Sequence, residues 1–332
     1  MTEIVEGKIT HSELTKNSKG GSELLAERMV KHLDGVLDEY QIIFGRVETL
    51  MEDKLRILYC HDLAEDPQGS HLLNEGWKKF HKIVFVSEWQ KDQFIGLYNI
   101  PPSHTMVIHN AIVPIEEHKK AENKIRLGYW STPHRGLELL VPAFEELQKR
   151  HKGLELELDI FSSFEIYGWK QKDAGFEPIF EKCRTNPQIN YHGSVDNETL
   201  REKLKDIHIL AYPNIWKETS CMVLMEAMSA GIACVHPNYA ALPETAANWT
   251  FMYNFNEDVN KHCAIFYNAL KSVIENYHTE MVQWKLGPQK SYADTFYHVG
   301  RWRQDWIALL TSDIKEKSRK LPSENNFSYS AG

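Results

Sequence analysis

The feature that most constrains this chain is an alternation. Short apolar runs rich in β-branched and aromatic residues are separated by longer amphipathic stretches along nearly its whole length. That order describes βα units feeding parallel sheets, because two parallel strands are joined by a crossover that is usually a helix. The expected strands of the front half are residues 40–47, 56–62, 82–88 and 105–110, with a weaker one near 4–9. A second set is expected at 125–130, 154–162, 189–191, 207–212 and 232–236. Between the sets, residues 114–124 carry Glu, Lys, His and Asn with few large apolar side chains, which reads as a linker. The chain has 332 residues, and domains run to roughly 100–200 residues each. The expectation is therefore an α/β protein with domains at 1–118 and 119–291, followed by an aromatic-rich helix within 292–312 and a tail over 320–332.

Local signals place the helices. Gly20-Gly21-Ser22-Glu23 opens one whose Leu25, Met29 and Leu33 recur at helical spacing. Ser87-Glu88-Trp89-Gln90 has the capping-box form at a strand end. Thr132-Pro133 pairs a capping hydroxyl with a proline at the first helical position, which puts Arg135 in the first turn of the helix that follows.

Composition excludes several classes. At 42% hydrophobic and 25% charged residues the chain has enough apolar material for a sizeable core. The net charge is −8, and residues 1–118 hold 12 Lys and Arg against 19 Asp and Glu, so −7 of it lies there. A nucleic-acid partner is not expected from so acidic a chain, because phosphate binding rests on clustered Lys and Arg. Membrane association stays open but is not indicated by so acidic a chain, and no apolar run approaches the ~20 residues that span a bilayer. Cys60, Cys183, Cys221, Cys234 and Cys263 are widely spaced with no C-x-x-C, which reads as reduced core thiols in a cytoplasmic protein. Neither H-E-x-x-H nor D-x-D spacing occurs, so no metal and no cofactor are expected.

The most informative segment is residues 207–226. A strand ending at Tyr212-Pro213-Asn214 leads through Trp216-Lys217-Glu218 into a helix expected from about Thr219 to Ala230, stopped by Gly231. Glu218 and Glu226 are eight residues apart. Along a helix that is about 12 Å, too far for an acid/base pair at one bond but suited to gripping two ends of a long ligand. The amides of Ser220, Cys221 and Met222 would then offer a helix start to a diphosphate lying between. The plain alternative is a first-turn Glu and a solvated one. Against it, Glu226 lies within Met222-Val223-Leu224-Met225-Glu226-Ala227-Met228, where an ionised carboxylate needs a reason.

The run from Glu218 to Gly231 resembles the E-x7-E signature of glycosyltransferase family 4, retaining enzymes of the two-domain GT-B fold. Other segments are similar to that family: the Gly20-Gly21 loop, residues 83–91 and 107–112 closing the first domain, Tyr191-His192-Gly193-Ser194-Val195, and residues 302–309. The resemblance implies two Rossmann-like domains with parallel sheets facing a central cleft, and a last helix crossing back to the first domain. It implies a nucleotide sugar as donor, a hydroxyl of a glycan or other molecule as acceptor, and no metal. Glu218 would bind hydroxyls of the donor sugar, Glu226 the ribose hydroxyls, and the amides of Ser220–Met222 the diphosphate. Arg135 would take the place of the family's diphosphate-binding lysine, and His61 that of the first-domain histidine facing the reacting sugar. Gly20 and Gly21 would form the substrate-side loop.

The bland readings remain beside these. His61 could be a hydrogen-bonded structural residue, Arg135 a surface charge, and Gly20-Gly21 a simple turn. Departures from the pattern are Trp130, where the family usually has a second diphosphate arginine, and Ala240-Ala241 in place of a glycine pair before Leu242-Pro243-Glu244. The same architecture would serve a sugar-nucleotide epimerase, a phosphorylase, or a non-catalytic subunit that binds a nucleotide sugar.

Overall fold

The computed structural model describes residues 9–10, 20–33, 35–47, 49–150, 153, 155–312 and 321. It divides into two units, one running to Ala111 and resuming at Val299, the other Ile112–His298. Within the first, β1 (Ile9–Thr10), β2 (Tyr40–Phe44), β3 (Leu55–Tyr59), β4 (Lys82–Phe85) and β5 (Thr105–Val107) form a parallel sheet in chain order. Successive side chains of a strand point to opposite faces, and the two faces here build separate cores. Ile42, Phe44, Ile57, Tyr59 and Val84 meet Leu25, Met29 and Leu33 of the helix Gly21–Leu33 and Trp302, Trp306 and Leu309 of the helix Val299–Leu310. Ile43, Leu58, Ile83 and Phe85 meet Phe94 and Tyr98 of the helix Glu88–Tyr98 together with Leu72 and Phe80. Of the weak strand expected near 4–9, only Ile9 falls among the described residues, and of the expected tail only Leu321.

The second unit has a six-stranded parallel sheet of β6 (Ile125–Tyr129), β7 (Leu156–Ile160), β8 (Ile189–Tyr191), β9 (Ile209–Ala211), β10 (Ala233–Pro237) and β11 (Phe251–Tyr253). Its order is β11-β10-β9-β6-β7-β8. Read from the other edge and counted within the unit, this is 3-2-1-4-5-6, the doubly wound order. The chain winds one way from β6 to β8, then returns to the middle as β9 and winds the other way. The strands β6 and β9 that flank this reversal are direct neighbours, Leu127 opposite Ile209 and Gly128 opposite Leu210.

Two expectations need correction. A single aromatic helix over 292–310 is instead two: Glu280–Phe296 and Val299–Leu310. The break has a physical cause, because the aromatic residues serve different cores. The Tyr297 hydroxyl donates to the Thr245 carbonyl at 2.9 Å and its own carbonyl accepts the Ile112 N–H at 2.8 Å, while Trp302 and Trp306 join the first unit. The domain boundaries move with this. Ile112 and Ile115 are buried in the second unit's core, and the Ile115 N–H donates to Ser229 Oγ at 2.9 Å, so that unit starts at 112 and not 119. It ends at His298 and not 291, since Ala293 and Tyr297 lie in the same core.

Candidate functional site

In an open doubly wound sheet, a ligand site is expected beyond the carboxyl ends of the strands where the winding reverses. Here those ends belong to β6 and β9, and the two loops leaving them are locked together at three points. Gly136 has φ +115°, and a Cβ there would lie 2.2 Å from the Pro213 carbonyl oxygen. Only glycine lets the β6 loop press so closely on the backbone after β9. The Arg135 Nη1 donates to Glu218 Oε1 at 2.8 Å. The His134 ring meets the Trp216 ring edge to face, with centroids 4.9 Å apart.

Arg135 therefore sits in a short 3-10 turn, Pro133–Arg135, that Gly136 closes in the left-handed region. The expected α-helix begins only afterwards, at Leu137. The correction matters, because the turn aims Arg135 across at β9's loop in place of presenting it along a helix. Glu218 is 5% exposed. Its Oε1 also accepts the Tyr212 hydroxyl at 2.6 Å. Burial works against a charge on Arg135, yet the Glu218 carboxylate, then Tyr167 and Tyr212, hold its pKa well above the ordinary value. Burial and Glu218 likewise push the Tyr212 phenol well up, so it stays a hydrogen-bond donor. The Arg135 Nε is buried without a partner, as are the hydroxyls of Thr132 beyond β6, Ser162 beyond β7 and Ser220. Buried polar atoms are normally satisfied, so this concentration at the strand ends fits a site shaped for a polar ligand.

Glu226 is also 5% exposed, in the helix Met222–Ser229, with Asn197 Nδ2 3.5 Å from its Oε1. The helix was expected from Thr219. It starts three residues later because Cys221 is extended at φ −103° and ψ 93°. Glu218 is thus a loop residue, and the helical 12 Å spacing to Glu226 does not apply. Of the three expected amides only that of Met222 belongs to the helix's first turn. Ser220 contributes a hydroxyl, and the Cys221 thiol is kept neutral by burial, then by Glu218.

The remaining predicted residues belong to the first unit. His61 follows β3, its ring stacked on Phe44 at 5.2 Å and edge-on to Tyr59 at 4.2 Å. Gly20 supplies the carbonyl that accepts the Leu24 N–H, and Gly21 begins the helix. Trp130 is 4% exposed and lies over Gly128, where a Cβ would be 2.9 Å from its Cζ3 and equally close to Ile207. The position where the resemblance led to an expected arginine is filled here by a core residue. Sequence reasoning missed Tyr212, Asn214, Gly136 and the His134–Trp216 pair. The available signal was their place at strand ends flanking the winding reversal.

All five cysteines are free. Among the described residues no cluster of three or more His, Cys, Asp or Glu could hold a metal, and no helix is long and apolar enough to cross a membrane.

Comparison with known proteins bears directly on this site. Residues 115–276, which contain both loops and both glutamates, match the family model of group 1 glycosyl transferases. That match covers 162 of the 332 residues, just under half of the chain. Among curated proteins, the chain is similar to the phosphatidylinositol N-acetylglucosaminyltransferase gpi3 subunit of Schizosaccharomyces pombe, 23% identical over 258 residues, 74% of this chain. The match spans half of that relative's length. Among solved structures, a glycosyltransferase from Rickettsia africae aligns with a TM-score of 0.66 at 14% identity, covering 96% of this chain and 88% of that one. The Anabaena protein Alr3699/HepE, crystallised with UDP-glucose, aligns at 0.61 and 12% identity over 88% of this chain and 77% of that one. Identities this low carry the fold, and the fold is GT-B: two units, each built on a parallel sheet.

Proposed function

We propose that this protein is a retaining, metal-independent glycosyltransferase of family 4 type. It would move a sugar from a nucleotide diphosphate donor to a hydroxyl of a glycan or other acceptor. The observation that carries the reading is the Arg135–Glu218–Tyr212 network, its Glu218 and Tyr212 buried, at the winding reversal of the second sheet. A guanidinium, a carboxylate and the amino end of the Met222–Ser229 helix share one strand-end site, and these are the groups a sugar diphosphate needs.

In this reading Glu218 accepts hydrogen bonds from hydroxyls of the donor sugar, and Glu226 from the ribose. As the bond between the sugar's anomeric carbon and the diphosphate oxygen breaks, negative charge grows on that oxygen. Arg135 and the first-turn amide of Met222 stabilise it as preorganised donors. The acceptor oxygen bonds to the anomeric carbon from the face the diphosphate leaves, and its proton passes to the departing diphosphate. No carboxylate nucleophile and no metal take part. His61, Gly20 and Gly21 belong to the acceptor side. Five free cysteines support a reducing compartment such as the cytoplasm.

Purified protein assayed for transfer and for donor hydrolysis with UDP-, GDP-, ADP- and CDP-sugars tests this. Arg135→Ala is expected to lower kcat by about 10²–10³-fold and Glu218→Ala to abolish transfer, both remaining folded by circular dichroism. Glu226→Ala is expected chiefly to raise the donor KM. Wild-type kinetics in the Arg135 and Glu218 variants would overturn the assignment.

A further inference from the structure

Trp216 combines two properties that seldom coincide. Its side chain is 43% exposed, yet the residue is held rigidly. Asn214, fully buried, clamps its main chain from both sides: Nδ2 donates to the Trp216 carbonyl at 2.6 Å, and Oδ1 accepts the Trp216 N–H at 3.1 Å. The ring then rests against His134, whose other contact is a parallel stack on Phe164 at 5.2 Å and 11°. Phe164 is itself buried and packs on Phe176. The loops leaving β6, β7 and β9 thus each contribute one ring to a continuous aromatic wall. An exposed large aromatic on a fixed backbone is what binding surfaces use, because little conformational entropy is lost when a ligand covers it. Trp216 stands two residues before Glu218, and His134 one before Arg135.

Resting on the function proposed above, we propose that Trp216, backed by His134, is the stacking face for the sugar ring of the donor, and that the site accepts neutral sugars and rejects acidic ones. The apolar C–H face of a pyranose would lie on the indole while its hydroxyls reach Glu218. His134 Nδ1, buried and without a partner, is one further polar atom for such a hydroxyl. Burial first, then Arg135 and Lys172, push the His134 imidazole down to about 4, so it meets the sugar uncharged. Selection against acidic sugars follows from charge. The Arg135 guanidinium, only 21% exposed, is already paired with the buried Glu218 carboxylate. A uronate would bring another carboxylate into this surrounding, at the cost of an incompletely paired buried charge.

The test is calorimetric binding of UDP, UDP-glucose, UDP-N-acetylglucosamine and UDP-glucuronate, with GDP and GDP-mannose in parallel, to wild type, Trp216→Ala and Trp216→Phe. Steady-state transfer is measured on the same samples. Wild type is expected to bind a neutral nucleotide sugar more tightly than the free nucleotide, and glucuronate no better than the free nucleotide. Trp216→Ala is expected to weaken the sugar nucleotide about tenfold while leaving the free nucleotide unchanged. Trp216→Phe is expected to recover most of the difference. An unchanged ratio of sugar-nucleotide to nucleotide affinity in Trp216→Ala, or preferred binding of the glucuronate, overturns the stacking proposal. Its outcome is separable from the activity: absent transfer and hydrolysis with intact, Trp216-dependent sugar binding sinks the enzymatic reading alone, and absence of all nucleotide-sugar binding sinks both.

Discussion

At the scale of single residues, several histidines are buried as neutral rings, and this sets how the protein should respond to acid. His236 is fully buried between the Pro237 carbonyl, 2.9 Å from Nδ1, and Thr250 Oγ1, 2.7 Å from Nε2. Those partners fit the tautomer with the proton on Nδ1, and burial pushes the ring down to about 4. His71 and His81 are pushed down to about 4 as well, chiefly by burial. A histidine whose folded pKa lies below its unfolded value of about 6.5 binds fewer protons folded than unfolded across that interval. Stability is therefore complete above about 6.5 and falls as the pH drops toward 4. Urea denaturation at pH 7.5 and at pH 5 should show a clearly lower midpoint at pH 5, with the pH difference reduced in His236→Gln. Equal midpoints would remove the argument. The residues of the candidate site were legible in sequence to unequal degrees. Glu218, Glu226 and Arg135 stand in local patterns. Tyr212 and Trp216 gained meaning only from the fold, because the bonds that define the site join residues such as Arg135 and Glu218, 83 positions apart.

At the scale of elements, strands and caps were the readable part. Each expected strand between residue 40 and residue 236 overlaps an observed one, because period and β-branching mark buried parallel strands locally. Ser87 caps its helix as its motif indicates, accepting the Gln90 N–H at 3.0 Å, while Gln90 Oε1 returns to the Val86 N–H. What the pattern did not reveal were the two places where tertiary packing overrides a helix signal. Thr132-Pro133 starts a 3-10 turn because Gly136 must fold left-handed onto Pro213, and Thr219-Ser220 stay bent outside the helix, with the main chain of Glu218 held from elsewhere. The Glu218 carbonyl accepts the Ala241 N–H at 3.1 Å, from a turn in which Ala240 itself has φ +51°. The junction of the β6 and β9 loops can be probed directly. Gly136→Ala adds a methyl 2.2 Å from a backbone oxygen at a φ that L-residues avoid, so the backbone must give. A loss of about 2–4 kcal/mol is expected, with donor binding weakened too because Arg135 shifts off Glu218. Unchanged thermal stability in that variant would mean the two loops are not locked as described.

At the scale of the whole chain, the partition of the cores is the informative fact. Every residue of the largest cluster lies between Ile112 and Tyr297, and the two smaller clusters draw only on the first unit, the last helix included. The first unit is therefore discontinuous: Trp306, fully buried and edge-on to Tyr59 at 5.0 Å, has to return before its core is complete. The second is continuous, carries its own doubly wound sheet, and contains Arg135, Tyr212, Trp216, Glu218 and Glu226. A single continuous core of that size is enough for autonomous folding. The fragment Ile112–His298 should unfold cooperatively in urea and bind a nucleotide sugar with an affinity close to that of the full chain. On the function proposed above it should transfer nothing, since His61, Gly20 and Gly21 are absent from it. The complementary piece, residues 1–111 alone, should not fold cooperatively, because Trp302, Trp306 and Leu309 are missing from its core. Tight binding lost on excision of Ile112–His298 would show that the donor needs groups from the first unit. Transfer retained by the fragment would show that those first-unit residues are dispensable.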